Sequence, residues 1–168
     1  RHYTSLLNDQ ELLDYLKEKQ IRLVFYIHPK LREFIGNFHA DNNLIELISF
    51  NSVPLNQLLM GCSMMITDYS SVFFDFAYMS KPVVYLQFDE QRFYETQYGR
   101  GYFNCRTDGF GPVFGNESDA ADRLCKIIEQ DAHNDELYSE RAEKFFGDRT
   151  SDHCEQTFNA IRELLKND

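Results

Sequence analysis

Short apolar runs of strand length alternate with helix-patterned stretches through the first half of the chain, and this alternation constrains the fold more than any other feature. Ile21 to Ile27 (IRLVFYI) is β-branched and aromatic, and it stops at His28-Pro29, where the proline disfavours continuation. Leu44 to Ser49 (LIELIS), Met64 to Thr67 (MMIT) and Val83 to Gln87 (VVYLQ) repeat the pattern. Between them fall helix signals. Leu12, Leu13 and Leu16 follow Leu6 and Leu7 at helical spacing, with Asn8 and Asp9 placed to cap, which predicts a helix over about 9–19. Pro29 can open a helix over Lys30 to Phe38, and further helices are expected over Pro54 to Gly61 and Val72 to Met79, the last ended by Ser80-Lys81-Pro82. Strands that alternate with helices pair in parallel through right-handed crossovers, so an α/β fold is predicted, a parallel sheet flanked by helices.

From Phe88 to Gly115 the chain is rich in Gly, Asp and aromatics, and only a short helix near Glu90 to Gln97 can be assigned there. Ser118 to Gln130, Asn134 to Phe146 and Ser151 to Lys166 carry apolar residues at three- and four-residue spacing, so the C-terminal third, about 117–167, reads as helical. No repeat or low-complexity linker interrupts residues 1–168, and a single domain is expected. The sequence starts at Arg1 with no leader pattern and reads as a segment of a longer protein.

The chain has 17 Lys and Arg against 27 Asp and Glu, a formal charge of −10. That balance, without any long basic run, argues against nucleic acid as a partner. The longest apolar runs fall far short of the roughly 20 residues that span a bilayer, so no transmembrane segment is predicted. Cys62, Cys105, Cys125 and Cys154 form no C-x-x-C pair and have no histidine at zinc-site spacing. They are expected to be reduced thiols in an intracellular setting. There is no P-loop, no G-x-S-x-G, no H-E-x-x-H and no G-x-G-x-x-G after a strand. Neither a cofactor nor a metal is predicted.

Ligands of an open parallel sheet bind at the carboxyl ends of its strands, and two polar turns occupy that edge. At Tyr26-Ile27-His28-Pro29 a histidine leaves a strand end, either to reach a ligand or simply to close the turn. At Ile66-Thr67-Asp68-Tyr69-Ser70-Ser71 an apolar strand runs into hydroxyls at the start of an apolar helix. Free N–H groups and two small hydroxyl side chains suit a phosphate there, while Asp68 or Ser70 serving only as an N-cap is the plain alternative. Tyr98-Gly99-Arg100-Gly101-Tyr102 offers an arginine that could fork onto phosphate oxygens or be a solvated surface residue. Gly109-Phe110-Gly111-Pro112-Val113 is a similar glycine-rich turn that could merely steer the chain. His2, His39, His133 and His153 read as exposed residues.

In this order, His28-Pro29, then ITDYSSVFFDFAYMSKPVVY from Ile66 to Tyr85, then Arg100-Gly101-Tyr102 and Gly111-Pro112-Val113, the sequence resembles the C-terminal half of the CDP-glycerol glycerophosphotransferase family, which includes teichoic acid polymerases and related ribitol-phosphate transferases. The resemblance runs from about Leu12 to Val113 with the closing helices. It implies the second half of a GT-B-type fold, in which two Rossmann-like domains face each other and the second binds the nucleotide-activated donor. It also implies His28 as a catalytic residue at the donor phosphates, Ser70 and Ser71 as diphosphate ligands, Asp68 as the residue that holds their turn, and Arg100 with Gly101 as a further phosphate contact.

The activity so implied is transfer of glycerol phosphate or ribitol phosphate from a CDP-glycerol or other CDP-polyol donor to a teichoic acid or capsular polymer. The partners are the N-terminal half of the same enzyme and a lipid-linked acceptor. The setting is the cytoplasm, peripheral to the inner face of the membrane. This segment alone would bind donor without turning it over. A GT-B enzyme that uses a nucleotide sugar, and a noncatalytic interaction domain whose DYSS turn is only a cap, are the competing readings.

Overall fold

The computed structural model describes residues 2–38, 40, 43–48, 52–96, 99, 101–150 and 152–166. Arg100 and His39, named above, lie outside the described residues. The chain opens with α1 (His2–Leu7) and α2 (Gln10–Glu18). It continues through β1 (Leu23–Tyr26), a 3-10 helix (Pro29–Asn37), β2 (Ile45–Ile48), α3 (Leu55–Gly61), β3 (Met65–Thr67) and α4 (Phe73–Tyr78). Then come β4 (Val83–Leu86), α5 (Glu90–Thr96), β5 (Val113–Phe114), α6 (Glu117–Glu129), α7 (Glu136–Phe146) and α8 (His153–Leu164).

Every strand pair is parallel, as the alternation requires. β1 pairs with β2 from Leu23 opposite Ile45 to Tyr26 opposite Ile48. In the other sheet β4 is central, flanked by β3 and β5. Its four side chains are completely buried because both faces of the strand are covered. Val84 and Leu86 pack with Leu6, Leu12, Leu16, Leu124 and Ile127 of α1, α2 and α6, while Val83 and Tyr85 face Phe73, Phe76, Phe110 and Ala142 on the α4 and α7 side. Alternation along one strand thus feeds two cores, each such side chain contributing about 1.5–3 kcal/mol. Leu23 of β1 and Ile66 of β3 pack on the first core, which brings the two sheets together.

Local chemistry explains where the elements start and stop. The Asp9 carboxylate accepts from the Leu12 amide at 2.9 Å and caps α2, as its position predicts. α2 closes with Gln20 at φ 56° and an Ile21 amide bond to the Leu16 carbonyl, so Ile21 is spent on ending the helix and β1 starts later than expected. α4 ends the same way, with Ser80 at φ 58° and the Lys81 amide on the Phe76 carbonyl.

Three expectations need correction. The helix after Pro29 is 3-10 throughout: Leu31 donates to the His28 carbonyl and Phe38 to that of Ile35, and Leu31 and Phe34 repeat at the three-residue period that stacks side chains on one face. α1 and β5 were not expected. His2 is only partly exposed, since its ring stacks on Phe88 at 4.2 Å and its Nδ1 donates to Glu117 Oε2 at 3.0 Å. All four cysteines are free. Among the described residues no helix is long and apolar enough to cross a membrane.

Candidate functional site

The Asp68 to Ser71 turn leaves the carboxyl end of β3 with its backbone donors unevenly spent. Tyr69 donates its amide to Asp68 Oδ1 at 2.6 Å. The amides of Phe73, Phe74 and Asp75 turn back onto the carbonyls of Ser70, Ser71 and Val72, so the first turn of α4 has little left to offer. Between these sets, the amides of Ser70, Ser71 and Val72 and both serine hydroxyls have no hydrogen-bond partner among the described residues. Ser71 is exposed and Ser70 half-buried. Three successive N–H groups and two hydroxyls are thus left as donors at this strand end, a donor set whose chemistry suits an anion.

Neither Asp68 nor Ser70 caps α4: the cap position is Val72 and has no side-chain bond. The plain capping alternative is therefore incorrect for this helix. Asp68 instead ties the turn inward. Its Oδ2 accepts from the Tyr3 hydroxyl at 2.7 Å, and its carbonyl accepts from Gln87 Nε2 at 3.1 Å. The other nearby carboxylate, Asp89, accepts from the Tyr69 hydroxyl at 2.9 Å, and the Tyr69 ring lies flat on Phe93 at 3.7 Å. Burial first, and then the Asp68 carboxylate, push the Tyr3 phenol far above its ordinary pKa. Burial first, and then the Asp89 bond, do the same to Tyr69. Both phenols stay protonated and donate, so the two carboxylates are bonded to protein and not turned loose on an anion.

His28 stands at the carboxyl end of β1, exposed, as the residue that caps the 3-10 helix. Its Nδ1 accepts from the Lys30 amide at 3.2 Å. It does close the turn, and by doing so through Nδ1 it leaves the neutral ring with its proton on Nε2, a donor pointing away from the turn.

Tyr3 links the two turns. Its ring packs on Phe25 of β1 at 5.8 Å, on Phe38 at 6.4 Å and on Phe88, just after β4, at 5.7 Å, while its hydroxyl reaches Asp68 after β3. One side chain thus touches the segments leading to His28 and to Ser70. Sequence reasoning missed both Tyr3 and Gln87, which carry no motif and acquire a role only through long-range packing. Gly101 is exposed, and a Cβ there would meet nothing within 4 Å, so the fold does not itself demand glycine at that position. Gly111 is different, because a Cβ would run into the Val83 carbonyl. A groove between α2 and α6 is lined by Asp9, Glu11, Asp122 and Glu129 beside Tyr15 and Lys126, and its four carboxylates make it a poor place for a phosphate.

Residues 1–161 match the family of CDP-Glycerol:Poly(glycerophosphate) glycerophosphotransferase. The chain belongs to that family. It is 30% identical over 165 residues to the minor teichoic acid biosynthesis protein GgaB of Bacillus subtilis (strain 168), a match over 98% of this chain and 18% of that protein. It is 27% identical over 162 residues to the teichoic acid poly(ribitol-phosphate) polymerase of Bacillus spizizenii, over 95% of this chain and 25% of that one. A solved structure of the wall teichoic acid polymerase TagF superimposes with a TM-score of 0.53 at 20% identity, covering 96% of this chain and 48% of TagF. The chain therefore spans about half of that polymerase and a quarter or less of these two relatives. The expected fold class, a parallel α/β unit of GT-B type, is borne out.

Proposed function

We propose that this chain is the donor-binding segment of an enzyme that transfers glycerol phosphate or ribitol phosphate from a CDP-linked donor to a teichoic acid or capsular polymer. The observation that carries the reading is the unspent donor set of Ser70, Ser71 and Val72 at the end of β3, in a chain of this family. The diphosphate lies against those amides and the two hydroxyls. An acceptor hydroxyl attacks the β-phosphorus in line, the bond to the bridging oxygen breaks, and CMP departs with the electron pair. Charge grows on the departing phosphate, where donors already oriented stabilise it without further reorganisation. The Nε2–H of His28 supplies one such donor, and Arg100 with Gly101 a further contact. The base that deprotonates the acceptor comes from the N-terminal half, the acceptor is lipid-linked, and the enzyme works in the cytoplasm at the inner face of the membrane.

Calorimetric titration of the full-length protein with CDP-glycerol and with CMP tests this. His28→Ala and the double variant Ser70→Ala/Ser71→Ala are expected to weaken donor binding by about ten-fold or more, one charge-assisted hydrogen bond being worth roughly 1.5–3 kcal/mol. Equal binding by all three proteins defeats the site assignment. Preference for a nucleotide sugar over CDP-polyols defeats the substrate.

A further inference from the structure

We propose that Tyr3 is a positioning residue for the Ser70-Ser71 turn and thereby sets the affinity for the nucleotide donor, an inference that rests on the donor reading above. Asp68 is the only carboxylate inside the turn, and both its oxygens are bonded: Oδ2 to the Tyr3 hydroxyl, Oδ1 to the Tyr69 amide. Held this way, one carboxylate oxygen is tied to α1 and the other to the Tyr69 amide, and neither is bonded to the amides of Ser70, Ser71 and Val72. Tyr3 itself cannot drift, because Phe25, Phe38 and Phe88 surround its ring, and these come from β1, from the exit of the 3-10 helix and from the exit of β4. The hydroxyl therefore fixes the end of β3 against the strand that leads to His28. Without it, Asp68 is free to rotate toward the mouth, where a carboxylate opposes the donor's phosphates, and the Tyr69 amide loses its fixed acceptor. Tyr3 touches neither phosphate nor acceptor in this scheme and acts only through Asp68.

Tyr3→Phe keeps the ring and removes only the hydroxyl. In the full-length protein it is expected to raise KM for CDP-glycerol about ten-fold while changing kcat less than about three-fold, the effect of losing one hydrogen bond to a charged group. Because the two side chains act as one unit, Tyr3→Phe/Asp68→Asn is expected to be no worse than the poorer single variant. A control, Ile127→Val, trims the first core away from the turn, lowers the melting temperature and leaves KM alone. Hydrogen exchange of the ligand-free protein gives a readout independent of any donor: Tyr3→Phe is expected to speed exchange at the Tyr69 amide, which the Asp68 carboxylate holds, and not in α6. Unchanged KM with unchanged exchange overturns the proposal, as do additive losses in the double variant, or a KM rise that Ile127→Val reproduces. If the wild type fails to bind CDP-glycerol the donor reading falls, and faster exchange at the Tyr69 amide still upholds the placement of the turn by Tyr3.

Discussion

Gln87 reaches from the end of β4 to the backbone of Asp68, where its Nε2 donates to the carbonyl at 3.1 Å. Gln87 is only 4% exposed, one of two buried polar side chains among the described residues, and its own amide donates to the Phe114 carbonyl of β5. It thus joins the neighbouring strands of the sheet just below the candidate site. Gln87→Leu keeps the volume and leaves the Asp68 carbonyl unpaired, which is expected to cost about 1–3 kcal/mol. Urea denaturation measures that loss, and a midpoint equal to wild type would show that water replaces the amide without penalty.

Lys81 illustrates how the polar residues of a motif can belong to the scaffold. Its Nζ donates to the carbonyls of Leu59, Met60 and Cys62 at 2.9, 2.8 and 2.7 Å, gathering the open carboxyl end of α3, and the same Nζ stands over the Phe76 ring, 5.5 Å from its centroid. Lys81→Met retains the stem and removes the charge from the helix terminus. The expected loss is about 1–2 kcal/mol with donor affinity unchanged, measured by denaturation and calorimetry side by side.

What could be read from the sequence was whatever depends on local pattern. The four apolar runs mark β1 to β4, Asp9 marks the start of α2, and the DYSS and H-P turns stand at strand ends because strand, turn and helix follow one another within a few residues. The misses have a common cause. β5 is two residues long and exists only because β4 offers it a partner, so no periodicity announces it. α1 is six residues long, and its Leu6 and Leu7 read equally well as a prelude to α2. Tyr3 and Asp68 are 65 positions apart, and nothing local to either predicts the bond between them. The 3-10 character of the stretch after Pro29 was in principle visible in the three-residue spacing of Leu31 and Phe34, which a four-residue helical reading absorbs without protest.

Acid is expected to remove the contact between His2 of α1 and Glu117 of α6. The His2 imidazole bonded to Glu117 holds that carboxyl below the usual carboxylate range, against a smaller opposing effect of burial. A carboxylate with a lowered folded-state pKa stabilises the fold fully above its unfolded value of about 4.3, and that contribution disappears as pH falls through the lower folded value. Wild type is therefore expected to melt above Glu117→Gln at pH 6, with the gap closing as pH drops from about 4.5 toward 3. A gap that stays constant across this range would mean that the bond does not depend on the charge of Glu117.

Two glycines of the loop region make opposite predictions. Gly111 lies where the chain enters β5, and an added Cβ would overlap the Val83 carbonyl oxygen of β4, backbone that cannot yield without breaking the Tyr85 amide bond to the Pro112 carbonyl. Gly111→Ala is expected to destabilise by about 3 kcal/mol or more. At Gly101 an added Cβ meets open space and the backbone is not left-handed, so Gly101→Ala is expected to leave the denaturation midpoint within about 0.5 kcal/mol of wild type. If Gly101→Ala nonetheless weakens CDP-glycerol binding, the requirement for glycine comes from the close approach of a ligand to the backbone. Unchanged binding together with unchanged stability would remove Gly101 from the candidate site.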